Sequence, residues 1–312
     1  MGLGRLKTIS TIEHSTEAIE QRSLAIRRVI VNADGFGFGR GATQGIITAL
    51  RGTPLVSSIS VNANFPDVEC LGSIAAEFPK ISIGVHLNTM VGRPCLPPSD
   101  VPTLVDSEGN FCNRRFLSRL RLGLVSKEQL EAELDAQILT VKSIVGERLT
   151  HLDSQGHSHL AFFNTFLRVA RKWGLTRMRN NAPLICMESP NPQSSRRKLY
   201  FKKPHVWLMH MYRRSQMRTA RARGMRMPDH LITVGYAGLG NKTNMENWVR
   251  ILTNLPPGTS EIYCHPGYPD DTLHKWSYYC NERLRELEII QNPTLMGVIR
   301  NLGIQQVSYR SI

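Results

Sequence analysis

Short apolar runs alternate with helix-patterned stretches along most of this 312-residue chain, and that alternation limits the folds open to it. Strand-like runs fall at 29–34 (VIVNAD), 57–63, 81–87, 149–154, 231–236, 261–265 and 304–309. Helical patterns fill the gaps. The pattern at 42–50 follows a Gly-rich turn, and that at 66–78 opens with proline. The stretch 126–145 begins S-K-E-Q, a capping-box signature, and T-N-M-E at 243–246 begins another. The pattern at 162–173 stops at Gly174, as a helix C-terminus should. Strands that alternate with helices imply one α/β unit on a mostly parallel sheet, open or closed into a barrel.

Two stretches break the rhythm. Residues 88–125 are long and Pro/Gly-rich, the kind of insertion that covers a site. Residues 190–228 hold eleven Lys/Arg and no Asp or Glu, so most of the net charge of +14 is local. Residues 1–27 have no apolar core and are expected to be a disordered extension rather than a secretory signal, leaving 28–312 as the folded unit. The six cysteines form no C-x-x-C pair, which argues against a zinc knuckle or disulfide framework and suits a reducing, cytoplasmic setting. No window approaches the ~18 apolar residues of a membrane span.

Polar side chains at the C-terminal ends of parallel strands converge on one mouth, where α/β sites are found. Four strand ends stand out. N-A-D-G-F-G presents Asp34, G-V-H-L presents His86, and Y-C-H-P-G presents His265. The fourth, T-H-L-D-S-Q-G-H-S-H-L, carries His151, Asp153, Gln155, His157 and His159 on every second position. On an extended chain all five would point the same way. A carboxylate and several imidazoles suit a divalent ion that could activate water and polarise a carbonyl.

These motifs, with the Arg in T-R-M and D-H-L-I-T-V-G, stand in an order that resembles the YdjC family of carbohydrate deacetylases. That family includes chitooligosaccharide deacetylases and a hopanoid-biosynthesis-associated branch, which the 88–125 loop most resembles. The resemblance implies a single-domain distorted (β/α) barrel of the YdjC and NodB-like type. It also implies a divalent metal, Zn or Mg, and hydrolytic removal of acetyl from an N-acetylated amino sugar, as an oligosaccharide or lipid-linked. Position by position, Asp34 would be the general base, His86 a metal ligand, His265 the proton donor, and Arg177 a group orienting base or sugar. The family's other two ligand positions are Gly35 and Gln155 here, and neither supplies a good ligand.

Two readings therefore stay open. In one the site is rebuilt, with Asp34 and His157 joining His86 as ligands and with slower chemistry. In the other metal binding is lost, and Asp153, His159, His157 and Arg177 hold a sugar or partner without turnover. The basic segment 196–227 combines Trp207 and methionines with arginines, a composition that fits an anionic membrane surface. In a helix there, Val206, Met209, Met217 and Ala220 are expected to share a face. That would make the protein peripheral to the inner membrane. Nucleic acid ranks last, because no aromatic–basic stacking platform is present. The sequence is compatible with a homo-oligomer.

Overall fold

The computed structural model describes residues 26–113, 115–182, 203–234 and 243–312. Residues 1–25 of the expected 1–27 extension, the first part of the basic segment and the last residues of the 231–236 run fall outside these, and Arg27, expected in the extension, already belongs to the first strand. Within them, seven parallel strands form one sheet. In chain order they are β1 (Arg27–Phe36), β2 (Ser58–Val61), β3 (Ser82–Leu87), β4 (Leu149–Ser154), β5 (His230–Thr233), β6 (Gly258–Cys264) and β7 (Gln305–Gln306). The spatial order is β4-β3-β2-β1-β6-β5, with β7 on the edge of β1 below β2.

The sheet curls towards closure. Beyond β4 the chain at 176–179 adds a short rung: Leu152 N donates to Arg177 O, and Arg179 N donates to Leu152 O. Met178 N then donates to Arg226 O, and that segment runs directly into β5. These bridges join the two sheet edges in a distorted β/α barrel, the class expected from the sequence.

Ten helices are seen among the described residues: α1 (Arg40–Gly52), α2 (Leu71–Glu77), α3 (Arg115–Arg121), α4 (Lys127–Val145), α5 (Phe163–Lys172), α6 (Pro204–Ala222), α7 (Met245–Thr253), α8 (Asp271–Trp276), α9 (Asn281–Ile290) and α10 (Thr294–Asn301). The capping prediction at Ser126 holds, and the one at 243–246 shifts by a residue, from Thr243 to Asn244. Ser126 Oγ accepts the Gln129 amide at the start of α4, and Asn244 caps α7 through the Asn247 amide.

Strand periodicity divides the sheet into two chemically different faces. Val31, Ala33, Ile59, Val61, Ile83, Val85, Leu152 and Ile262 face the helices and form the main apolar core. The alternate residues, Asn32, Asp34, Ser60, His86, His151, Asp153 and Glu261, are buried polar groups that meet one another inside the barrel. Gly84 belongs to this inner set, because a Cβ there would lie 2.4 Å from His151 Nε2.

Three expectations change. The 88–125 stretch is not wholly irregular: it carries α3 and a bridge between Val105 and Phe111. The final strand shrinks to Gln305–Gln306, after which a short turn of helix carries Tyr309 into the barrel. The alternation at 150–160 ends at Ser154. Gly156 and His157 then take φ of 57°, turning the chain into a short 3-10 segment, so Gln155, His157 and His159 do not continue the face of His151 and Asp153.

Candidate active site

Arg179 sits at the centre of the barrel interior, 1% exposed. Its Nη1 and Nη2 donate to the two carboxylate oxygens of Asp34 at 2.7 and 2.6 Å, a bidentate fork. Nη2 also lies 2.9 Å from Asp153 Oδ2, and Nε donates to Glu261 Oε1 at 2.8 Å. One guanidinium thus faces three buried carboxyl groups from three different strands. Burial alone would raise the pKa of Asp34, but Arg179 outweighs it and the pKa is lowered. Glu261 goes the other way: burial pushes its carboxyl up to about 7 although Arg179 and Tyr309 pull it down.

Around this centre other polar side chains form a connected network. Asn32 Nδ2 donates to Asp34 Oδ1 and to Ser60 Oγ, and Ser60 Oγ donates to Asp153 Oδ2. Below, Tyr309 Oη donates to Glu261 Oε2 at 2.6 Å, and its ring stacks on His151 at a centroid distance of 3.7 Å. The C-terminal turn is therefore joined to Asp34 through Glu261 and Arg179.

Two imidazoles flank Asp34. Nδ1 of His86 lies 2.7 Å from Asp153 Oδ1, which fixes the ring and leaves Nε2 as its second donor. Burial disfavours the His86 cation, but Asp153 and Asp34 outweigh that and raise its pKa. His265 approaches from the other side, with Nε2 4.0 Å from Asp34 Oδ2 and Nδ1 3.9 Å from Glu286 Oε2. Glu286 also accepts the His265 amide and the Tyr279 hydroxyl. Burial and Arg283 push the His265 imidazole down to about 3, and burial lifts Glu286 to about 7. At neutral pH His265 is a neutral ring beside a carboxyl group that readily gives up or takes a proton.

Of the residues singled out in the sequence, the fold gathers Asp34, His86, Asp153 and His265. Asp153 is fully buried and bonded to His86, Ser60 and Arg179. His157 stands on the rim, its Nδ1 2.7 Å from Asn181 Nδ2 and its ring edge-on to Tyr263. His159 is buried against Phe166 with Nδ1 on Ser154 Oγ. Arg177 lies lower in the barrel and donates to the Ile312 carbonyl. The arginine that reaches Asp34 is Arg179, one strand repeat further towards the mouth.

The sequence reading missed Arg179, Glu261, Tyr263, Glu286 and Tyr309. A signal existed for two of them: Glu261, Tyr263 and His265 alternate along one strand face. Tyr263 is a hub, with the Arg179 guanidinium 4.9 Å from its ring centre and His157 and His265 both edge-on.

Residues 28–301 match the family model described as YdjC-like protein. The chain belongs to that family. The YdjC-like chain is 29% identical over 288 residues to a carbohydrate deacetylase of Geobacillus stearothermophilus, covering 91% of this chain and 97% of that one. A chitooligosaccharide deacetylase of Yersinia pestis is 26% identical over 288 residues, covering 90% and 97%. A solved structure from Enterococcus faecalis V583, described in terms of cellobiose-phosphate cleavage, superposes with a TM-score of 0.72. It is 28% identical, with 92% of this chain and 99% of that one covered.

The YdjC-like site contains a group that could hold a metal: Asp34, His86 and Asp153 each offer a ligand atom, all within 4.8 Å of one another. The donors fit a divalent ion in kind, an imidazole with a free second nitrogen beside carboxylates. The hold is thin, because Arg179 already occupies oxygens of both aspartates. Gly35 adds no donor. A Cβ there would lie 3.4 Å from Arg283 Nη1 and 4.0 Å from Asn62 Oδ1, a buried oxygen that has no hydrogen-bond partner among the described residues.

Proposed function

We propose that this YdjC-like chain hydrolyses the acetamide of an N-acetylated amino sugar, as an oligosaccharide or lipid-linked, in the cytoplasm. The observation that carries the reading is the bidentate Arg179–Asp34 pair between His86 and His265. It keeps a carboxylate ionised inside a barrel mouth and aims it between two imidazoles. One divalent ion, zinc or magnesium, held by His86 and Asp34 would supply Lewis-acid polarisation of the acetamide carbonyl.

The remaining work falls to side chains of this chain. Asp34 takes the proton of the attacking water, and Arg179 keeps that carboxylate in line. Asp153 holds the His86 ring in one tautomer. His265, neutral at rest, relays a proton to the departing amine, with the Glu286 carboxyl on its Nδ1 side as the proton reservoir. Asp34 cannot serve fully as both ligand and base, so turnover is expected to be slow.

A second reading has a specific observation behind it. Gly35 and Gln155 remove two family ligand positions, and Arg179 already compensates the aspartates, so the barrel could bind a sugar without turnover. Acetate release from N-acetylated chitooligosaccharides, measured with added zinc or magnesium, separates the two. Turnover abolished by chelation supports the first. Saturable sugar binding with no acetate released under any metal supports the second.

A further inference from the structure

Helix α6 has two unlike halves. Its second half is anchored to the barrel rim: Gln216, Met217 and Ala220 are buried, and Gln216 Nε2 donates to the Leu160 carbonyl. The Asn181 amide donates to Met217 Sδ, and the Asn181 side chain meets His157, so the helix abuts the candidate active site. Its first half leaves large apolar side chains in solvent. Trp207 is 46% exposed, Leu208 61%, Met211 41% and Tyr212 62%.

At spacings of one, four and five residues, these four form one continuous strip on the helix surface. The strip continues along the same ridge into Arg214, Arg218 and Arg221, all exposed. The ridge from Trp207 to Arg221 is about 21 Å long at the helical rise of ~1.5 Å per residue. No acidic residue occurs anywhere in 190–228 to neutralise it. An apolar strip that runs into an arginine row, within a stretch of sequence that has no Asp or Glu, complements a surface with an apolar interior and an anionic face.

We propose that α6 docks the protein on anionic phospholipid bilayers. Trp207, Leu208, Met211 and Tyr212 enter the headgroup–acyl boundary, and Arg214, Arg218 and Arg221 lie against the lipid phosphates. Docking through α6 is independent of the deacetylase reading. Its consequence for that reading is positional, since docking brings the barrel rim beside the bilayer.

The test is co-sedimentation of the full chain with two vesicle types, phosphatidylcholine alone and phosphatidylcholine with phosphatidylglycerol at about three to one. Wild-type protein is expected to bind the anionic vesicles at least ~10-fold more tightly and to lose most of that binding at high salt. Trp207→Ala with Leu208→Ala should weaken binding roughly 10-fold, and Arg214→Glu with Arg218→Glu should abolish it, both with an unchanged melting temperature. Equal binding to both vesicle types, binding to neither, or variants that bind like wild type would overturn the proposal. So would tighter binding to a DNA duplex than to the anionic vesicles, with the apolar variant unaffected. Because no sugar enters the assay, failure here leaves the deacetylase reading to its own test.

Discussion

The barrel interior and its rim are built on opposite principles. Inside, Asp34, Asp153, Glu261 and Arg179 are buried and pair with one another and with Asn32, Ser60, His86 and Tyr309. Towards the mouth, Gly35 adds no side chain and Gln155 only a neutral amide, and the adjoining helix is basic and partly apolar. The contrast teaches that the Asp34 carboxylate is held by hydrogen bonds from Arg179 and Asn32. The rim then decides whether an ion stays and what surface the site meets.

The sharpest way to break that contrast is Arg179→Met. It leaves three buried carboxyl groups without their shared cation, and losing one side of a buried ion network costs about 3–5 kcal/mol. Urea unfolding should register a loss of that size together with loss of activity. Near-wild-type stability would mean that the interior does not depend on Arg179.

A gain at the rim should be smaller. Gly35→Asp with Gln155→His is expected to tighten zinc binding by at least tenfold, about 1.4 kcal/mol, read by calorimetric titration. The variant should also be less stable to unfolding, because Gly35 has φ +102°, a conformation that costs a residue with a side chain about 1–2 kcal/mol. Unchanged affinity would place these two positions away from the ion.

The interior should also leave a mark on pH dependence. Glu261 and Glu286 have folded pKa values raised to about 7 from 4.5, mainly by burial. A raised carboxyl pKa gives stability that is complete below the unfolded value and is lost as pH rises through the folded one. The share of stability from these two groups is therefore lost between about pH 4.5 and pH 7, against the opposite trend from His265 and the other depressed imidazoles. Glu261→Gln should remove its part, so that the melting-temperature difference between variant and wild type changes across that window. A curve unaltered by the substitution would mean that Glu261 does not titrate in this window. The smallest expected effect is that of Tyr309→Phe, which keeps the stack on His151 but removes one buried hydrogen bond. It should cost about 1 kcal/mol in urea unfolding. A loss within error would mean the hydroxyl contributes nothing to the interior.

Much of the interior was legible from the sequence because strand alternation is strict. Asp34, His86 and His265 stood out as polar residues on apolar runs, and all three meet in space. Arg179 was hidden because residues 176–179 form only a short rung of the barrel, too brief for a strand pattern. Arg177 shares its face but stands one repeat lower, so choosing between them required the barrel's depth. The row from His151 to His159 misled for a local reason. Gly156 and His157 at positive φ turn the chain, and periodicity carries no warning of a turn that one glycine permits. In α6, Met217 and Ala220 are buried as the helical spacing implied. Met209, expected on their face, is 42% exposed, since only the second half of the helix packs on the rim.

The most direct test of the central claim compares wild-type protein with Asp34→Asn for acetate release from N-acetylated chitooligosaccharides at saturating zinc. The account predicts measurable turnover for wild type and a fall of about 10²–10⁴-fold in kcat for the variant, with its fold intact. Equal rates in the two proteins would contradict it, because Asp34 would then be a structural partner of Arg179 and not the base.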